Sequence, residues 1–350
     1  MHNLQLTEDQ DLIVDTVRKF VATAVAPTAQ ELDEHRAFAR TGFDGFAELG
    51  LFGLVVGEAH GGAGMGFLPW VASLESIGAH SSALARLWIG QMQSALALEV
   101  AGGDGLDGIV AGSTLASFVG LEHGLRVANG RLVGGAELVP AGNEAQAFVI
   151  AAMADGKPVL VTVAAAGLER TMLRCLGLAS AGCARVVFDG APATTVATGE
   201  VAGSAIARAQ FAGWLGVAAT AVGGGLACVA VSRKHAGERI AFGKPLLAQE
   251  AVVRKLVESR RQVDAARHLL WHAARLADLG QDGVEAALQA RLAAVEAMIN
   301  AADEAIQIHG GYGYVVEYHV ERHYRDGKTL EVLDGGAEDL RNRLAARQFT

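Results

Sequence analysis

The sequence predicts an α+β multidomain chain: an N-terminal all-α domain over 1–115, a small central antiparallel β domain over 116–200, and a C-terminal helical bundle over 201–350. Three observations lead there. Apolar residues recur at helical spacing through the first third, short β-branched runs broken by turn residues fill the middle, and long helical stretches return afterwards. With 350 residues, 51% hydrophobic and 19% charged, the composition also demands a large core.

In order, Thr7 and Gln10 form a capping box that starts a first helix, and Ile13, Val17, Phe20 and Val21 fall on one stripe of it. A second helical pattern runs through Phe43, Phe46, Leu49 and Leu51 and ends among glycines. Gly61 to Gly66 reads as a flexible loop, and Trp70 to Gly78 and Ala83 to Val100 resume helix. Strands are expected at Leu125–Val127, Ala147–Ala152, Val159–Val163 and Arg185–Phe188, with turns at Asn129-Gly130, Asp155-Gly156 and Asp189-Gly190. Helices follow at Ile206–Ala236, Leu247–Leu279 and Val284–His309.

A formal charge of −9 argues against a general nucleic-acid or anionic-membrane binder. Three cysteines without CxxC spacing give no disulfide framework or thiolate zinc site, so a cytoplasmic location is expected. The start, polar and acidic from Met1 to Asp11, lacks the basic and apolar regions of a signal peptide. Phe211 to Val231 carries no charge and meets the length rule for a membrane span. Its Gly and Ala content suits a helix buried on all sides better, so no membrane span is expected.

Four groups of residues invite a chemical reading. Gly61-Gly62-Ala63-Gly64-Met65-Gly66 misses both phosphate-loop patterns, and no strand precedes it. His268 with His272, and His319 with His323, are spaced i and i+4, but neither pair carries the glutamate of a metalloprotease, and no metal is expected. Arg239-Ile240-Ala241-Phe242-Gly243-Lys244-Pro245 sets a fixed cation beside an aromatic ring and a sharp turn, which suits an anionic ligand with a planar part. Gln307-Ile308-His309-Gly310-Gly311-Tyr312-Gly313-Tyr314 closes a long helix with three close glycines, more than one C-cap needs.

In order and spacing the chain resembles the acyl-CoA dehydrogenase family. The resemblance rests on Val17-Arg18-Lys19-Phe20, Val25-Ala26-Pro27, Ala47-Glu48-Leu49-Gly50-Leu51, Gly61 to Gly64 and Glu75-Ser76-Ile77-Gly78 in the first domain. In the last it rests on Arg239 with Phe242 to Pro245, Gln307 to Gly313, and Glu321-Arg322 through Arg325-Asp326. It implies a four-helix C-terminal bundle, a homo- or hetero-tetramer, and FAD held by Arg239, Phe242, Gln307, Gly310, Gly311 and Glu338, in part across a subunit boundary. It also implies an acyl-CoA substrate, a role in lipid metabolism, and electron-transfer flavoprotein or a similar acceptor as partner.

Where the family carries a glutamate base in an E-G-T-x-E segment, this chain has Leu333-Asp334-Gly335-Gly336-Ala337-Glu338, which puts Asp334 at the base position. An alternative base position on an earlier helix falls at Gly213. Other departures are Gly336 for a threonine, Val139 for an aromatic residue, Trp214 for a frequent arginine, competing Gln249 and Glu250, and a shortened β domain without the T-E…S-D loop. The leading expectation is FAD-dependent α,β-desaturation of an acyl-CoA with Asp334 as α-proton base. Two alternatives are a degenerate partner subunit of a hetero-oligomeric dehydrogenase and a flavin oxidase or monooxygenase on the same scaffold. Gly213 and Gly223 to Gly225 either leave room for a bulky acyl group or allow close helix packing.

Overall fold

A computed structural model describes residues 4–349; positions 1–3 and 350, the outer ends of the first and last expected domains, lie outside the described residues. The chain begins with α1 (Glu8–Phe20), whose capping box is formed: Gln10 N–H donates to Thr7 Oγ1 at 3.3 Å, and Thr7 N–H to Gln10 Oε1 at 3.1 Å. After α2 (Ala29–Glu34) and α3 (Arg40–Glu48) come α4 (Phe67–Gly78) and α5 (Ser82–Ala101), both apolar on nearly every face, then a short α6 (Leu106–Val110). Phe43, Phe46, Phe52, Trp70 and Trp88 join these helices, with successive ring centroids 4.6 to 6.3 Å apart. The buried aromatic area dominates this part of the core.

The middle of the chain makes two sheets. The larger contains β1 (Ala116–Val119), β2 (Arg126–Ala128), β3 (Arg131–Val133), β5 (Ala147–Ala154), β6 (Lys157–Ala164) and β9 (Thr194–Thr198), in the order β3-β2-β5-β6-β9 with β1 beside β5. The smaller is β4 (Gly135–Val139), β8 (Ala184–Val187) and β7 (Glu169–Met172). Pairing is antiparallel except that β1 lies parallel to β5 over four residue pairs, and β2 meets β5 parallel at Arg126 and Met153. Alternating burial reveals which residues face inward but carries no strand direction, so the sequence does not announce these parallel contacts.

From Gly199 the chain runs as one 40-residue helix, α7 (Gly199–Glu238), into a tight hairpin pairing Ile240–Ala241 with Lys244–Pro245, then α8 (Glu250–Asp278), α9 (Val284–His309), α10 (Val320–Val332) and α11 (Gly336–Phe349). The helix expected from Leu247 starts at Glu250 because Leu246–Ala248 form a 3₁₀ turn and Gln249 is extended. By length and hydropathy α7 could cross a membrane, but 72% of its apolar window is buried inside the fold.

The glycines of α7 serve close packing. A β-carbon on Gly223 would lie 2.1 Å from the Glu75 carbonyl oxygen, and one on Gly78 would lie 2.3 Å from that of Thr220, so the backbones of α4 and α7 touch. Gly224 and Gly225 are filled by Met298 and Val263 in the same way. Space for a bulky acyl group is therefore not what Gly223 to Gly225 provide.

Candidate active site

Asp334 sits in the bend between α10 and α11, where Asp334, Gly335 and Gly336 all take positive φ (52°, 97° and 69°). The bend is fixed from below by Arg291 of α9. Its fully buried guanidinium donates to the carbonyls of Leu330 and Leu333, the uncapped end of α10. Burial pushes the Arg291 guanidinium down to about 10, with the Asp334 charge opposing the shift.

Arg86 and Gln93 project from α5 onto the Asp334 carboxylate. Arg86 Nη2 and Gln93 Nε2 each donate to Asp334 Oδ1 at 3.2 Å, and Arg86 Nη1 donates to Gln93 Oε1 at 3.0 Å, closing a triangle. The Arg86 side chain is 3% exposed and that of Asp334 10%. A charge this far from water needs its partner, and the aspartate supplies it. Asp334 Oδ2 is buried and accepts no hydrogen bond among the described residues.

The turn Leu121–His123 adds a second acid. Glu122 is pushed up to about 7, first by burial and then by the negative charge of Asp334, against the pull of Arg86 and Arg343. His123 beside it is lowered by burial, with Asp334 and Glu137 acting in the other direction. Trp214, at the position of a frequent arginine, is buried with the Arg343 guanidinium 5.9 Å from its ring centroid. Two carboxyl groups thus share one electrostatic neighbourhood, Asp334 in a buried pair with Arg86 and Glu122 held well above the ordinary glutamate range.

The other site residues gather elsewhere. Arg239 ends α7 and lines a cavity of about 400 Å³ with Gly310 and Gly311, so the structure brings these three together. His235 and His309 make a stacked pair there, with ring centroids 4.2 Å apart. Gln307 is exposed on the last turn of α9, where its carbonyl accepts the Gly310 N–H. Phe242, at the hairpin tip with φ 52°, is 96% exposed and does not line the cavity. Glu338 lies on the exposed side of α11, 3.6 Å from Arg341. The loop expected to be flexible at Gly61–Gly66 is zipped onto the preceding turn: Ala63, Gly64 and Met65 N–H donate to the Gly53, Val56 and Leu54 carbonyls at 2.8 to 2.9 Å. Those donors are taken, which removes any phosphate cradle.

Arg86, Gln93, Arg291 and Glu122 were not singled out from the sequence. Arg86 carried a signal: it is the single charge between Ser82 and Leu98 in an apolar helix, and a buried arginine requires an anion.

The chain matches the family models for the N-terminal domain of acyl-CoA dehydrogenase over residues 7–105 and for its C-terminal domain over residues 203–349. An acyl-CoA dehydrogenase of Bacillus subtilis (strain 168) is 27% identical over 370 residues, covering 96% of each chain. The butyryl-CoA dehydrogenase of Megasphaera elsdenii superposes with a TM-score of 0.92 at 23% identity, over 100% of both chains. A Mycobacterium smegmatis glutaryl-CoA dehydrogenase in complex with FADH2 gives 0.89 at 21% identity, over 99% of this chain and 96% of that one.

Proposed function

Because the chain belongs to the acyl-CoA dehydrogenase family, we propose that it catalyses FAD-dependent α,β-desaturation of an acyl-CoA thioester with Asp334 as the base. The observation that carries this reading is the Asp334 carboxylate itself, fixed by Arg86 and Gln93 through Oδ1 while buried Oδ2 has no partner among the described residues.

The residues present suit the cofactor. Arg239 makes no ion pair among the described residues and lies with the bare backbone of Gly310 and Gly311, where a β-carbon would meet nothing within 4 Å. This edge would take the phosphates of FAD, with the exposed Phe242 ring completing the contact against a second copy of the chain. When bound, FAD supplies the hydride acceptor. Asp334 Oδ2 would take the α proton of the thioester, and Arg86 would hold the carboxylate in place. Glu122, half-protonated near neutrality, would reduce negative charge beside the base. Electrons would leave to electron-transfer flavoprotein or a similar acceptor.

The ion pair also favours a second reading, in which the chain is a partner subunit whose own site is degenerate. Asp334 Oδ1 is engaged by two donors, an arrangement a purely structural pair would also adopt. Anaerobic flavin bleaching by a panel of acyl-CoA thioesters decides between them. Reduction of the flavin on this chain alone supports the enzyme. No reduction alone, followed by activity only when a second homologous chain is added, supports the partner subunit.

A further inference from the structure

A cavity of about 640 Å³ opens where the head of α10 meets α7 and the junction of α4 with α5. Its floor is Arg322, 9% exposed. One guanidinium nitrogen, Nη2, donates to the His80 carbonyl at 2.9 Å, while Nε and Nη1 are buried with no partner among the described residues. The neighbouring acids are engaged elsewhere: Asp33 and Glu321 pair with Arg325, and Asp326 accepts the Leu178 N–H at 2.7 Å. Arginine keeps its charge; Asp326, one turn on, attracts it without closing an ion pair, so this buried cation lacks a hydrogen-bonded anion among the described residues, a costly arrangement that a bound anion relieves.

The surroundings define the anion. His80, His319 and His323 share the cavity, and burial together with the Arg322 charge holds all three below the ordinary imidazole range, His323 down to about 3. At neutral pH they are neutral hydrogen-bonding groups, so among the described residues Arg322 is the one cation lining the cavity, with Arg325, Asp326, Glu34 and Glu321 acting from outside it, which disfavours a phosphate dianion. Pro27, Leu226, Ala230 and Val231 make the wall apolar, and the volume is that of a small-molecule pocket.

We propose that this cavity binds an organic monocarboxylate, with the carboxylate on the Arg322 guanidinium and an aliphatic or aryl tail against the α7 wall. It is distinct from the Asp334 site: Leu226 to Val231 lie 13 to 18 residues beyond Gly213 on α7, about 20 to 27 Å at the helical rise. Neither FAD binding nor desaturation is required for it.

The test is titration calorimetry of the full chain with octanoate, with 1-octanol and inorganic phosphate as comparison ligands. Octanoate is expected to bind saturably, one per chain, and at least tenfold more tightly than either comparison ligand. Arg322→Gln should weaken octanoate at least tenfold. Since Arg322 also braces the His80 carbonyl, Ala230→Trp serves as the second variant: it fills the cavity from an exposed position and should abolish binding with Tm and sedimentation unchanged. The proposal is overturned by no saturable binding at millimolar octanoate, by octanol or phosphate binding as well as octanoate, or by wild-type affinity in Ala230→Trp. A changed oligomeric state in Ala230→Trp would also overturn it, since the cavity would then be a contact between copies.

Discussion

Gly213 of α7 faces Asp334 across the site: a β-carbon on Gly213 would lie 3.4 Å from the Asp334 carboxyl carbon and 2.4 Å from Gln93 Nε2. The two positions at which this family resemblance places a base therefore confront each other in space, and only one carries an acid. The glycine gives Gln93 the room it needs to reach the aspartate.

Replacing Asp334 by Asn keeps the volume and removes the proton acceptor. Under the proposed reaction, flavin reduction by a substrate thioester should slow by at least about 10² while thioester binding survives. Stopped-flow absorbance under anaerobic conditions measures this, and equal rates in the two proteins would take Asp334 out of the mechanism.

Removing the cation of the pair should cost more stability than removing both partners. Arg86→Met leaves a buried carboxylate uncompensated and is expected to lower stability by about 3 to 5 kcal/mol. Arg86→Met combined with Asp334→Asn should recover a large part of that loss. Denaturant unfolding of the four proteins of the cycle tests it, and additive losses would show that the two groups act independently.

Glu122 sets a pH dependence. Its folded value, about 7, lies above the ordinary glutamate range, so the folded state holds its proton where the unfolded chain has released it. Its stabilising contribution is complete below about pH 4.3 and is lost as the pH rises through 7. Glu122→Gln should therefore gain on the wild type between pH 4.5 and 7.5 in thermal unfolding. A constant difference across that range would mean that Glu122 titrates normally.

Arg239→Ala removes the cation at the glycine-edged cavity, and a charge-assisted contact to phosphate contributes about 1.5 to 3 kcal/mol. If this edge holds the cofactor, FAD retention after dialysis should fall by roughly tenfold or more and Tm should fall with it. Unchanged flavin content would remove Arg239 from the cofactor site.

Two glycine variants separate backbone contact from side-chain contact. In Gly223→Ala the new methyl meets the Glu75 carbonyl, so α4 and α7 must part, at about 3 kcal/mol or more. In Gly213→Ala it meets the Gln93 side-chain amide, which must loosen its bonds to Asp334 and Arg86 while the backbones stay in place, and a smaller loss of about 1 to 2 kcal/mol is expected. Equal Tm changes in the two variants would contradict this packing account.

The helices were legible because their apolar stripes and caps are local: the Thr7–Gln10 box can be read from four residues. The parallel placement of β1 beside β5 was not, because it depends on a crossover through residues 120–146 that leaves no periodic trace. At the site, Asp334 was marked by the family resemblance, which sets it where the family carries its glutamate base. Its partners Arg86 and Gln93 lie 248 and 241 residues earlier, and only folding brings them together. Glu122 was hidden for another reason, since its altered acidity comes from burial and from Asp334 rather than from its sequence neighbours.

Helix α7 is also a ruler. From Gly213 beside Asp334, past the cavity wall at Leu226 to Val231, to Arg239 at the glycine edge, it covers 26 residues, about 39 Å at the helical rise. The interlocked backbones at Gly78–Thr220 and Gly223–Glu75 lie between the ends, and such a contact resists sliding because a shift along the axis drives side chains into carbonyls. The aspartate end and the arginine end of this rod are therefore held at a set separation by the fold itself, with the contact to α4 between them.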